Sequence, residues 1–212
     1  MRPLHCTPFP QYSPMDQRVN DVAAFVLAGG KSTRMGSDKA FVNFNGQTLL
    51  ARALELAQSV STEVSIVGSA AKFGAYGTVI EDVFPDCGPL GGIHAALAST
   101  GTELNLMLAV DSPFLSADVL NYLIHRARRV QSLVTVPRAG GGLQPLCAVY
   151  RREFAAVAEQ SLRAGKNKID RLFDHASTTV VGEAELTAFD PNMFRNINTP
   201  ADLRNDATIS PK

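Results

Sequence analysis

Short, continuous apolar runs alternate along this chain with longer segments in which apolar residues recur at helical spacing. VAAFVL at 22–27 and LNLMLAV at 104–110 are typical of strands that are buried on both faces. Residues 49–57 instead carry leucine and alanine at the spacing of one helix face. Such alternation predicts an α/β fold with a mostly parallel sheet and helices on both sides. Sheets of this kind bind ligands at the carboxyl ends of their strands.

The remaining elements follow the same alternation. We expect further strands at 63–68, 77–82, 132–137 and 143–150, and helices at 49–60, 88–100, 116–129 and 152–165. Pro89 and Ser116 suit helix starts, and Gly165 suits a helix end. Asn45-Gly46 predicts a turn. Residues 194–205 should run from an extended segment into a short helix that begins at Pro200.

The composition of the chain excludes some classes of binding partner. With 20 basic and 20 acidic residues, the chain has no general attraction for nucleic acid or for an anionic membrane. No apolar run approaches the roughly 20 residues that cross a bilayer, and the first 20 residues lack the apolar core of a signal peptide. We therefore expect a cytoplasmic protein that uses a local basic site.

The proline-containing residues 1–20 show no periodic apolar pattern and predict a flexible leader, in which Met15 is an alternative start to Met1. The rest is predicted to form a single domain at 21–206 with a tail at 207–212. The chain's 212 residues suit one domain, although the length alone does not exclude two.

The loop after the first strand, within FVLAGGKSTRMGSDKA at 25–40, combines glycines with cations. Gly29 and Gly30 let backbone amides approach a ligand without an intervening Cβ. The three cations are Lys31, Arg34 and Lys39. Together these features suit a triphosphate, although the loop is neither a Walker loop nor the dinucleotide pattern of three spaced glycines. A lone Gly-Gly pair would more often be a solvated turn.

The segment LAGGKSTRMGSDKA resembles the signature of the nucleotidyltransferases of the molybdenum-cofactor pathway. Further motifs follow in that family's order: VIED at 79–82, CGPLGG at 87–92, VDSPF at 110–114 and FRNINTPADL at 194–203. The resemblance is strongest to the guanylyltransferase branch. It implies a Rossmann-like, three-layer fold of the nucleotide-diphospho-sugar transferase type. It also implies transfer of GMP from GTP to molybdopterin, usually bearing molybdenum, with release of pyrophosphate.

The resemblance further implies roles for the residues that match. The implied nucleotide-binding residues are Leu27, Ala28, Gly29, Gly30, Lys39, Asp82 and Asp111. Lys39 would contact the phosphates, Asp82 the nucleoside, and Asp111 the expected cofactor, Mg²⁺. Asn196 and Asn198 would bind the acceptor beside the reacting phosphate. The implied catalytic residues are Lys39, Asp111 and Arg34.

The chemistry accounts for these residue types independently. A phosphate that attacks an α-phosphate brings two anions together, so Mg²⁺ and nearby cations lower the barrier. Asp111 is a hard oxygen ligand of the kind that Mg²⁺ prefers, although a loop-capping role before Ser112-Pro113 is an equal interpretation from the residues alone. Asn196 and Asn198 face the same way in an extended segment, although an Asx turn also explains Asn198.

Alternatives remain at the level of the substrate. The cytidylyltransferase branch uses CTP and typically carries alanine where this chain has Gly29, so the loop favours GTP. However, guanylyltransferases commonly carry asparagine at the end of the strand where this chain has Val67-Gly68. Sugar-phosphate and isoprenoid nucleotidyltransferases lack the paired asparagines. A non-catalytic protein that chaperones the cofactor is a further alternative, which Lys39 and Asp111 disfavour. Expected partners are GTP and molybdopterin, molybdenum-insertion proteins and recipient molybdoenzymes.

Overall fold

One eight-stranded sheet runs through the protein, whose structure is a computed structural model describing residues 19–29, 38–173, 177–197 and 202. The strands are β1 (Val19–Leu27), β2 (Asn43–Phe44), β3 (Gln47–Thr48), β4 (Ser61–Val67), β5 (Val79–Ile80), β6 (Leu104–Ala109), β7 (Val134–Ala139), β8 (Gly142–Leu143), β9 (Cys147–Arg151) and β10 (Thr178–Val181). Of these, β2 and β3 form a separate hairpin.

The strand order of the sheet is β10-β7-β9-β6-β1-β4-β5, and β8 pairs with β7. The pairs of β1 with β4 and β6, of β4 with β5 and of β7 with β10 are parallel. Strand β9 runs antiparallel to both of its neighbours. Strand β8 is likewise antiparallel to β7. This arrangement confirms the predicted mostly parallel sheet, in which β8 and β9 are the reversed strands.

Helices cover both faces of the sheet. They are α1 (Leu49–Val60), α2 (Ala70–Phe73), α3 (Pro89–Ser99), α4 (Ala117–Arg128) and α5 (Phe154–Arg163), with 3₁₀ helices at Lys39–Phe41, Ile169–Leu172 and Glu183–Glu185. Successive side chains of β1 point to opposite faces, so Val26 packs with α1 and α4 while Phe25 packs with α3 and α5. The two cores therefore lie on either side of β1, as a three-layer α/β fold requires.

Local sequence signals explain several element boundaries. Asn45 and Gly46 both have positive φ, 52° and 86°, which is the geometry of a tight hairpin turn between β2 and β3. Thr48 begins α1 by accepting a hydrogen bond from the Ala51 amide at 3.2 Å. Pro89 occupies the first turn of α3. Ser116 precedes α4 as expected, but its side chain makes no capping hydrogen bond.

Other boundaries differ from the sequence expectation. Strand β1 begins at Val19, inside the segment assigned to the leader, and β5 is only two residues long. Strands β2, β3 and β10 and helix α2 were not predicted, because each is too short to show a period of its own. The expected helix start at Pro200 lies outside the described residues. None of the helices in the described parts of the chain is long and apolar enough to cross a membrane.

Candidate functional site

The carboxyl ends of β1, β4 and β6 meet at one edge of the sheet. Leu27 is in register with Val67 on one side and with Ala109 on the other. The amides of Ala28 and Gly29 donate to the Val67 carbonyl at 3.0 and 3.1 Å. These contacts place the predicted nucleotide-binding residues 27–29 between the ends of β4 and β6, where open parallel sheets bind ligands.

Lys39 and Asp111, which are 72 residues apart in the sequence, form an ion pair at this edge. Lys39 Nζ lies 3.1 Å from Asp111 Oδ2, and the two side chains are 19% and 20% exposed. Asp38 does not compete for Lys39, because its carboxylate accepts from the Ala40 amide at 3.2 Å and pairs with Lys72 at 2.9 Å. The 3₁₀ helix at Lys39–Phe41 therefore carries a cation to the end of β6.

Asp82 follows β5 and lies beside the first turns of α3. Its Oδ1 is 3.6 Å from the point that a Cβ on Gly92 would occupy, and its Oδ2 is 3.9 Å from the corresponding point on Gly91. A Cβ on Gly91 would also lie 2.9 Å from the Phe84 carbonyl oxygen. The glycines of α3 thus leave room for the segment that carries Asp82. Partial burial raises the pKa of the Asp82 carboxyl above its ordinary value of 3.8.

The segment near the C-terminus reaches the same edge. The Ile197 amide donates to the Asp111 carbonyl at 2.9 Å, and the Ile197 side chain is fully buried. Next to it, the Ser112 hydroxyl donates to Asn196 Oδ1 at 2.9 Å. The Arg195 guanidinium stacks 4.4 Å from the centre of the Phe114 ring. Asn196 is therefore held directly beside the loop that carries Asp111.

Three predicted site residues, Gly30, Arg34 and Asn198, lie outside the described residues. The other predicted site residues, which are far apart in the sequence, converge on one edge of the sheet. The sequence does not indicate that Ser112 contacts Asn196, because the two residues are 84 positions apart. The available signal for Ser112 itself was its polar side chain between a predicted metal ligand and Pro113.

Side-chain packing explains why this chain carries Val67-Gly68 at the strand end where guanylyltransferases commonly carry asparagine. A Cβ on Gly68 would lie 2.8 Å from Cε2 of Phe73, a fully buried ring of α2. Phe73 in turn packs against Phe41, with ring centres 5.8 Å apart. The Val67 side chain is buried against α3. An aromatic side chain thus fills the space beside Gly68, and neither of the two residues presents a polar side chain to the edge.

Alanine substitutions at Gly68 and Gly29 should therefore differ in their effect on stability. Gly68→Ala should lower the free energy of unfolding by roughly 1–3 kcal/mol, because the new methyl group overlaps the Phe73 ring. Gly29→Ala should change it by less than about 0.5 kcal/mol, since the nearest atoms among the described residues would be 3.8 Å from the new Cβ. Nucleotide affinity should nevertheless fall in Gly29→Ala. Urea unfolding and nucleotide titration of both variants test this; destabilisation by Gly29→Ala would contradict it.

Asp82→Asn should stabilise the protein at pH 7. Since the folded-state pKa of Asp82 is raised, its ionised form carries a cost in the folded protein that the amide removes. The gain in Tm should shrink as pH falls through the folded-state pKa, because the carboxyl of the folded protein then takes up its proton, and it should vanish below 3.8, where the carboxyl is protonated in both states. Glu81→Gln is the matched control, since Glu81 accepts from the Ala70 amide at 2.9 Å. A gain that is independent of pH would refute this explanation.

The comparisons with known proteins agree with this geometry. The MobA-like NTP transferase domain matches residues 24–180. A probable molybdenum cofactor guanylyltransferase of Pelotomaculum thermopropionicum is 36% identical, over 84% of this chain and 88% of its own. A molybdenum cofactor guanylyltransferase of Desulfosudis oleivorans is 35% identical, over 86% and 92%.

Among solved structures, molybdopterin-guanine dinucleotide biosynthesis protein A from Archaeoglobus fulgidus superposes with a TM-score of 0.76. It is 27% identical, and the match covers 86% of this chain and 95% of that one. A CMP:2-keto-3-deoxy-manno-octonic acid synthetase shares the fold at 12% identity, with a TM-score of 0.66 over 88% and 97% of the chains. The chain belongs to the MobA-like NTP transferase family and is a nucleotidyltransferase of molybdenum cofactor biosynthesis.

Proposed function

We propose that this protein transfers GMP from GTP to molybdopterin, with or without bound molybdenum, and releases pyrophosphate. The observation that carries the proposal is the contact of Lys39 with Asp111 at the sheet edge where Asn196 also docks. A cation, a carboxylate and an amide side by side can serve a triphosphate, its metal ion and an acceptor phosphate. The curated relatives named as guanylyltransferases support the choice of reaction.

In this proposal the nucleotide lies across the ends of β1 and β4. Residues 27–30 offer backbone groups to it, and Arg34 and Lys39 neutralise its phosphates. Asp82 holds the nucleoside at the α3 side of the edge. Because Val67 and Gly68 present no polar side chain there, the contacts to guanine come from the backbone and from Asp82. The lack of a Cβ at Gly29 favours GTP over CTP.

Asp111 is the proposed ligand of Mg²⁺. Within the described parts of the chain, no cluster of three or more His, Cys, Asp or Glu side chains could hold a metal ion. A single, partly exposed carboxylate fits an ion that takes most of its ligands from phosphate and water. When bound there, Mg²⁺ would withdraw charge from the reacting phosphate groups.

The proposed transfer replaces one phosphoanhydride bond by another. An oxygen of the acceptor's phosphate forms a bond to the α-phosphorus of GTP, and the bond between that phosphorus and the bridging oxygen of pyrophosphate breaks. The acceptor phosphate is already ionised near neutral pH, so no general base is required. Lys39 offsets the negative charge on the triphosphate, and the Asn196 amide donates to the incoming phosphate.

The proposed reaction also implies a cellular compartment and proteins that handle its product. GTP is available in the cytoplasm, so we place the transfer there. The guanine dinucleotide product would pass to recipient molybdoenzymes, and molybdenum-insertion proteins would act on the same cofactor.

The proposal is tested by pyrophosphate release from GTP and CTP, with and without molybdopterin, in the presence of Mg²⁺. We expect release that depends on molybdopterin, and a kcat/KM at least about tenfold higher for GTP, equivalent to roughly 1.4 kcal/mol. Equal or better turnover of CTP would overturn the choice of nucleotide. Binding of GTP without release of pyrophosphate would support the non-catalytic alternative.

Asp111→Asn and Lys39→Met should each lower kcat/KM by at least about 100-fold, because each removes a charge that the transition state requires. The exposed pair of Arg128 with Asp21, 2.9 Å apart, provides matched controls. Arg128→Met and Asp21→Asn should stay within about twofold of the wild type, since they remove equal charges near the start of β1. Near-normal turnover of Asp111→Asn would reduce Asp111 to a turn residue.

A further inference from the structure

The side-chain amide of Asn196 has two chemically different ends, and in the structure the oxygen end faces Ser112 while the NH₂ end faces outward. Its oxygen accepts a hydrogen bond from the Ser112 hydroxyl at 2.9 Å. No described residue accepts a hydrogen bond from its Nδ2, and the residue is exposed. The oxygen end is therefore tied to the loop, while the NH₂ end is available to a ligand.

This orientation matters for a phosphate ligand. Phosphate oxygens only accept hydrogen bonds, so they require a donor. If the amide rotated by half a turn, Oδ1 would face the phosphate and its lone pairs would oppose binding. In the observed arrangement the Ser112 hydroxyl donates to Oδ1, and this hydrogen bond holds the Asn196 side chain beside the Asp111 loop with its NH₂ group outward.

The loop that carries Ser112 is held from two sides. The Pro113 carbonyl accepts a hydrogen bond from Arg52 Nε of α1 at 2.7 Å. On the other side, the Asp111 carbonyl accepts from the Ile197 amide, and Phe114 stacks with Arg195. The backbone on both sides of the hydroxyl is thus anchored, so Ser112 can fix the amide instead of moving with it.

We propose that Ser112 is a positioning residue for the acceptor substrate. It acts through Asn196 by keeping the amide donor turned toward the acceptor's phosphate monoester, and it does not contact the nucleotide. The inference rests on the proposed function, in which Asn196 binds that phosphate. It adds Ser112, which lies between the proposed metal ligand Asp111 and Pro113, to the residues that serve the acceptor.

The experiment compares Ser112→Ala, Ser112→Thr, Asn196→Ala and the double variant Ser112→Ala/Asn196→Ala. Molybdopterin binding is followed by pterin fluorescence without GTP, and GTP binding is measured separately. Ser112→Ala should weaken molybdopterin binding about threefold to tenfold, as expected for one hydrogen bond, and should leave GTP affinity within about twofold. Ser112→Thr, which keeps the hydroxyl, should restore molybdopterin affinity.

The double variant separates positioning from an independent contact. If Ser112 acts through Asn196, Ser112→Ala should cause no further loss when Asn196 is already alanine. Losses that multiply in the double variant, or an equal loss of GTP affinity, would overturn the inference.

The outcome also distinguishes this inference from the proposed function. A wild-type protein that transfers GMP while Ser112→Ala binds molybdopterin normally overturns the inference alone. A wild-type protein that binds molybdopterin but transfers no GMP overturns the proposed function, and the inference with it.

Discussion

The parallel pairing of β1 with both β4 and β6 is the constraint on which the site depends. Because Leu27 is in register with Val67 and with Ala109, the three strands end at the same level. Side chains of β1 fill two different cores, with Val26 in one and Phe25 in the other. A slip of one residue would exchange them. Packing of the two cores therefore fixes the position of Ala28 and Gly29 relative to Asp111.

Charge balance decides how the loops at this edge are arranged. Lys39 and Asp111 are each about four-fifths buried and contact one another, which offsets the cost of withdrawing either charge from water. Asp38 is kept apart by Lys72 and by its own capping bond. The same two groups can meet opposite needs of a metal triphosphate, since one is a cation and the other an oxygen ligand. A metal triphosphate could thus replace the ion pair of Lys39 with Asp111 by two new contacts. Its phosphates would contact Lys39, and its metal ion would contact Asp111.

The sequence was sufficient for what depends on local patterns. It predicted the buried strands, a turn at Asn45-Gly46, the helix start at Pro89, and the strand end that Asp111 follows. It did not predict β10, whose assignment depends on pairing with β7, or the Ser112 contact with Asn196, 84 residues away. No local sequence pattern indicates contacts between residues that are so far apart in the chain. Only the structure explains why residue 68 is glycine, because a side chain there would overlap the Phe73 ring.

The central claim is that one sheet edge holds the triphosphate through Lys39 and its metal ion through Asp111. The most direct measurement is a crystal structure of the protein with GTP and Mg²⁺. We expect a carboxylate oxygen of Asp111 at about 2.0–2.1 Å from Mg²⁺, and Lys39 Nζ within about 3.2 Å of a phosphate oxygen. A triphosphate bound away from the ends of β1 and β6, with Asp111 outside the coordination of the metal, would contradict the account.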